Sequence, residues 1–127
     1  MAILRQALDK LELVNFHATA ARTATGSATG VDAQSYDGDL VLLLDSAAGT
    51  GTTPTLAVTV EHSDSLGSGY TAISGAAFTT VTTTASQQKL VVSKDEAKRY
   101  VRVTYTLGGT TPSFTFSVNA IGVNKYG

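Results

Sequence analysis

Only two side chains in this sequence, His17 and His62, can act as a general base near neutral pH. Nucleophilic catalysis needs a Ser or Thr hydroxyl beside such a base and a third group that orients it. Neither histidine has that signature. His62 follows Glu61 in an alternating apolar stretch, so the two residues point to opposite faces of a strand. His62 and Asp64 share a face, but a His-x-Asp pair at a strand end is an ordinary surface arrangement. No G-x-S-x-G nucleophile elbow is present. There is no cysteine, which removes thiol catalysis, Cys-ligated zinc and disulfide stapling together. Asp32, Asp37 and Asp39 could offer oxygens to a hard cation, but the spacing is not that of a calcium loop, and Asp37-Gly38-Asp39 also suits a turn before a strand. Gly49-Thr50-Gly51 and Gly67-Ser68-Gly69 lack the Lys-Ser/Thr that completes a phosphate loop. Lys94, Lys98, Arg99 and Arg102 form the one basic cluster, and Asp95 and Glu96 sit inside it. These residues predict no enzyme, no cofactor and no bound metal.

Composition points the same way. The chain has 127 residues, the size of one ordinary domain. Nine basic residues meet ten acidic ones, a balance that argues against an electrostatic grip on nucleic acid or an anionic membrane. No apolar run approaches the 18 residues or more of a membrane helix, and charges at Arg5, Asp9, Lys10 and Glu12 interrupt any secretion signal. Charged residues are 15% of the chain, against about 25% in a typical soluble domain. Small residues replace them, with 20 threonines among them. A surface this weakly charged suits either a protein partly covered by other chains or a small Thr-rich β protein that is soluble enough without more charge.

The elements that would carry these residues are strands. Leu40 to Leu44 is a continuous apolar run, the pattern of a strand covered on both faces. Leu56, Val58 and Val60 alternate with Ala57, Thr59 and Glu61. Val101, Val103, Tyr105 and Leu107 oppose Tyr100, Arg102, Thr104 and Thr106, and Phe114, Phe116 and Val118 continue the alternation toward Val123. Short strands are also expected at 70–73, 78–81 and 89–93. Asp45 to Pro54 reads as a flexible loop, Gly108 to Pro112 as a hairpin connection, and Lys94 to Ala97 as a charged turn. No internal repeat stands out. With no helical period between the strands, the expected fold is all-β: an antiparallel β-sandwich or jelly-roll-like domain over residues 31–127. The predicted core includes Leu42, Leu44, Val58, Val60, Phe78, Val81, Leu90, Val92, Val101, Val103, Phe114 and Phe116.

Residues 1–30 read as an N-terminal arm and linker. Ile3, Leu4, Ala7, Leu8 and Leu11 fall on one face of a short helix. A competing strand starts near Leu11, with Leu11, Leu13 and Asn15 on one face and Val14 and Phe16 on the other. Residues 18–30, ATAARTATGSATG, lack large apolar groups and read as the linker. The arm residues Ile3, Leu4, Leu8, Leu11, Leu13 and Phe16 are candidate contacts with a neighbouring subunit, the other reading being that they cap their own sandwich.

The stretches VDAQSYDGDLVLLLDSAAGTG, LAVTVEHSDSLGSGYTAISGAAFTTV and KRYVRVTYTLGGTTPSFTFSVNAIG resemble small cement or decoration proteins of tailed-bacteriophage heads. The resemblance covers roughly residues 27 to 123 and carries no catalytic motif. It implies a homo-oligomer, often a trimer, bound on the capsid surface where major capsid protein subunits meet. It also implies assembly in the bacterial host cytoplasm, which the absence of cysteine suits. A tail or head-fibre component, or an Ig-like or carbohydrate-binding module, are the other readings of such a β-sandwich.

Overall fold

The computed structural model describes residues 11–34, 36–93 and 98–124. Its strands are β1 (Leu11–Arg22), β2 (Gly26–Ser27), β3 (Val31–Asp32), β4 (Tyr36–Ser46), β5 (Thr50–Ser63), β6 (Thr71–Ala77), β7 (Ser86–Ser93) and β8 (Tyr100–Asn124). Among the described residues there is no helix, and every strand pairing is antiparallel.

The 25-residue β8 is the spine of the molecule. Its C-terminal half pairs with β1 on one side and β4 on the other. Its N-terminal half pairs with β5 on one side and with β2 and β3 on the other. β7 widens the first sheet beyond β4, and β6 widens the second beyond β5. The registers alone dictate a sandwich. Asp32 lies opposite Tyr100, at the start of β8, and Tyr36 lies opposite Asn124, at its end. Four residues of chain span at most about 15 Å, whereas a straight strand of that length would extend about 80 Å. The ends of β8 are therefore close together, so the strand folds over in its middle and its two halves face each other in different sheets.

The fold-over is built from one tetrapeptide used twice. Gly51-Thr52-Thr53-Pro54 and Gly109-Thr110-Thr111-Pro112 are identical in sequence, and they meet with Thr52 opposite Thr110. Both glycines have positive φ, 110° and 99°, and Thr53 and Thr111 both sit at 47°. A Cβ on Gly51 would lie 2.5 Å from the Thr111 carbonyl oxygen, and one on Gly109 would lie 2.5 Å from that of Thr53. Register shifts on either side of Thr52 mark the extra residues that let paired strands bend together. Two expectations are corrected here. Gly108 to Pro112 is no hairpin, because β8 continues through it, and most of Asp45 to Pro54 is paired strand rather than loop. The repeat that marks the bend is present in the sequence.

The core lies between the two halves of β8. Leu40, Leu42 and Leu44 of β4 and Phe114, Phe116 and Val118 of β8 point inward from the first sheet. Leu56, Val58 and Val60 of β5 and Val101, Val103 and Tyr105 of β8 meet them from the second. Every residue of the predicted core is buried, Leu90 only partly. At 78–81 the expected strand is replaced by backbone bonds that tie Phe78 to Val58 and Val81 to Leu56.

The segment read as linker is largely sheet. Residues 18–22 continue β1, and residues 26–27 and 31–32 pair with the N-terminal half of β8, so residues 11–32 flank that strand along its length. Small side chains suit this position because backbone pairing, rather than side-chain burial, fixes the segment: Ala18, Ala21 and Thr25 remain exposed.

Candidate functional site

Two places gather groups that the fold alone does not require. The first surrounds His17, which is only 3% exposed. Register shifts at Asn15/His17 and His17/Ala20 break the alternation of β1, so Phe16 and His17 both turn inward although they are consecutive. The imidazole stacks on Phe116, with centroids 4.2 Å apart and planes 9° from parallel, and meets the edge of Tyr105 at 5.3 Å. Arg22 Nε donates to His17 Nε2 at 3.0 Å. A ring that accepts at Nε2 is neutral and carries its proton on Nδ1, and Nδ1 is buried with no partner in hydrogen-bond geometry. Burial holds the His17 pKa below its ordinary 6.5, and the Arg22 charge lowers it further; backbone groups of Phe116 and Ala18 only partly oppose this.

A depressed histidine pKa has a definite sign. Below pH 6.5 the unfolded chain takes up a proton that the folded chain refuses, so stability falls as pH drops through and below that value. His17→Phe keeps the stacked ring and removes the proton site. Urea unfolding at pH 7.5 and 5.5 should show a larger loss for the natural chain than for His17→Phe. Equal losses would contradict the assignment, because all other titrating groups are common to both proteins.

Among the described residues neither histidine shares a hydrogen bond with a Ser or Thr hydroxyl; His62 Nδ1 accepts from the Lys98 backbone N–H at 3.2 Å. No group of three or more His, Asp or Glu among the described residues is placed to hold a metal ion. Asp39 is exposed on β4. The described members of the basic cluster are paired: Arg99 with Asp32 at 2.9 Å, Arg102 with Glu61 at 2.9 Å and Lys98 with Asp64 at 3.7 Å. The Arg102 guanidinium also lies 4.0 Å from the Tyr70 ring centroid. Lys94, Asp95 and Glu96 lie outside the described residues.

The second place is the outer face of the first sheet. Leu13 lies opposite Ile121, Ile121 opposite Val41, and Val41 opposite Val91. One apolar row thus crosses β1, β8, β4 and β7 on the side away from the core. Leu13 is 69% exposed and Val91 52%, while Val41 and Ile121 are half-buried by their neighbours. Leu43, 36% exposed, stands in the adjoining row between Asn119 and Lys89. The run from Leu40 to Leu44, read as a strand covered on both faces, is covered on one face by the described residues.

The arm residues separate accordingly. Leu13 is exposed in the row just described, and Phe16 is buried in the core of its own chain. Leu11 is part of β1, opposite Val123, and ends the helix reading at that residue. Ile3, Leu4 and Leu8 lie outside the described residues.

No known protein family and no curated protein matches the chain. Solved structures do share the fold. A chain of the infectious bursal disease virus T13 particle is 14% identical, with a TM-score of 0.58 over 90% of this chain and 31% of that one. The VP2 subviral particle of the same virus gives 10% identity and a TM-score of 0.58, over 91% of this chain and 33% of that one. This chain therefore spans about a third of the viral chains it resembles. A chain of the disulfide-linked pili of Bacillus endospore appendages is 20% identical, with a TM-score of 0.50 over 90% of this chain and 86% of that one. At these identities the likeness defines the class of fold: an antiparallel β-sandwich that also occurs in viral particles and a pilus.

Proposed function

We propose that this chain is a virion structural protein that acts by assembly rather than by chemistry. In the finer form, it is a cement or decoration protein of a bacteriophage head. It binds outside the shell where major capsid protein subunits meet, as a homo-oligomer of three copies, after assembly in the host cytoplasm. The observation that carries this reading is the apolar row on a sheet face that the described residues leave open, on a fold that viral particles use. A cement protein needs complementary surfaces and copy number. Whatever binds the assembled shell better than its loose subunits stabilises the shell by mass action, and many weak contacts add through multivalency. In this role residues 1–30 form a contact arm whose β1 portion is anchored along β8. A tail or head-fibre component is the second reading, supported by the likeness to a pilus chain of nearly matching length.

Electron microscopy of purified particles, with an affinity label on this chain, tests the proposal. Label on the head surface at many copies is the expected result. Label confined to the tail selects the second reading, and particles without label contradict both.

A further inference from the structure

We infer that His17 is an acid-sensitive latch on β1: protonation of its ring releases residues 11–22 from β8 while the remaining strands stay folded. The geometry admits one protonation state. Arg22 is a permanent cation whose nitrogens only donate, and its Nε–H is directed at His17 Nε2 from 3.0 Å. A proton on Nε2 would set two donors and two positive charges against each other at that distance. The charged ring would also lie 3% exposed against Phe116, where a charge without a partner is costly. From β1 the charged neighbour is Arg22, and from β8 the titratable neighbour is Tyr105. Among the described residues, no Asp or Glu lines the depression of about 430 Å³ that opens beside His17 between β1 and β2.

β1 is the element built to yield. It pairs with β8 alone, whereas β8 keeps β4 on its other side. Its register is broken on both sides of His17. Among its described side chains only Phe16 and His17 are buried, and none of residues 18–22 is. Leu42, Leu44, Val58, Val60, Val101 and Val103 sit on strands that pair without β1. The segment therefore opens at a smaller cost than the whole sandwich. Once β1 leaves, the C-terminal half of β8 presents a bare edge beside Phe116, and a bare edge is a template for another strand.

The latch goes beyond the proposed role and needs neither a shell nor a second copy. In the opened segment the ring is solvated and titrates near its ordinary 6.5, whereas burial and the Arg22 charge hold the closed ring lower. Opening thus takes up a proton. Below pH 6.5 the open fraction rises by up to about tenfold per pH unit, and from pH 7.5 to 5.0 by up to about thirtyfold.

Amide hydrogen exchange on the full chain at pH 7.5, 6.0 and 5.0, corrected for the pH dependence of the exchange chemistry, tests this. Residues 11–22 should exchange about ten- to thirtyfold faster at pH 5.0 than at pH 7.5, while residues 40–46 and 56–62 keep their protection. His17→Phe keeps a stacked ring without the proton site and should abolish the acceleration. His62→Gln should leave it intact. An acceleration of β1 below about threefold overturns the latch. So does one shared equally by β4 and β5, which is global unfolding, and so does one that survives His17→Phe. The natural chain supplies a second test that needs no variant. By proton NMR, the titration of His17 and the loss of β1 amide protection should share one midpoint, and separate midpoints overturn the latch as well.

Discussion

Phe116→Ala is expected to lower the free energy of unfolding by about 3–5 kcal/mol, the usual cost of removing a buried aromatic ring from a core. Phe116 is 1% exposed and touches His17 of the first sheet and Tyr105 of the second. Its ring stacks on His17 and meets Tyr105 edge-on at 5.4 Å, so one truncation undoes both aromatic contacts and opens the wall over a buried imidazole. A domain of this kind has about 5–15 kcal/mol in all, so the variant should unfold at a much lower urea concentration. Proton NMR adds a second readout: with its cover removed, His17 should titrate closer to its ordinary 6.5. A variant with unchanged midpoint and unchanged His17 titration would show that the ring is not the cover assigned to it.

Gly109→Val is expected to cost at least about 3 kcal/mol, and it tests the bend rather than the core. At φ 99° a β-branched residue is strongly disfavoured. Its Cβ would also press on backbone carbonyl oxygens of Thr53 and Thr52, at 2.5 and 2.6 Å, and backbone cannot rotate away as a side chain can. Gly75 is the control: its φ is 76°, but a Cβ there meets nothing within 4 Å. Gly75→Val should therefore cost less than Gly109→Val in the same urea series. Equal costs would mean that conformation alone matters and that the two GTTP segments do not interlock.

Strand interiors were readable because a buried face imposes period two. Val101, Val103 and Tyr105 point inward as their alternation requires, and Leu56, Val58 and Val60 do the same. The bend was misread for a physical reason. Gly-Gly-Thr-Thr-Pro satisfies every local rule for a turn between hairpin strands, and only pairing with a second GTTP, 58 residues earlier in the chain, makes it a bend within one strand. The doubled tetrapeptide was the signal available. β1 was half legible: Val14 and Phe16 on the inner side follow from alternation, but Ala18 to Arg22 carries no apolar period, and its strand state comes from β8. The His17 site could not be read locally. A register shift turns two consecutive residues inward, and the ring it meets lies 99 positions away. The open face was legible in an indirect way. Leu40 to Leu44 has the pattern of a strand covered twice, and the described residues supply one cover.

The described residues leave that face uncovered, and the proposed role rests on assembly over it. The most direct measurement is binding of the purified protein to phage shells made without it. Saturation at a fixed number of copies per shell, with shells that withstand higher temperature once coated, is the predicted result. Shells that neither retain the protein nor gain resistance, at concentrations where the protein is folded, would contradict it.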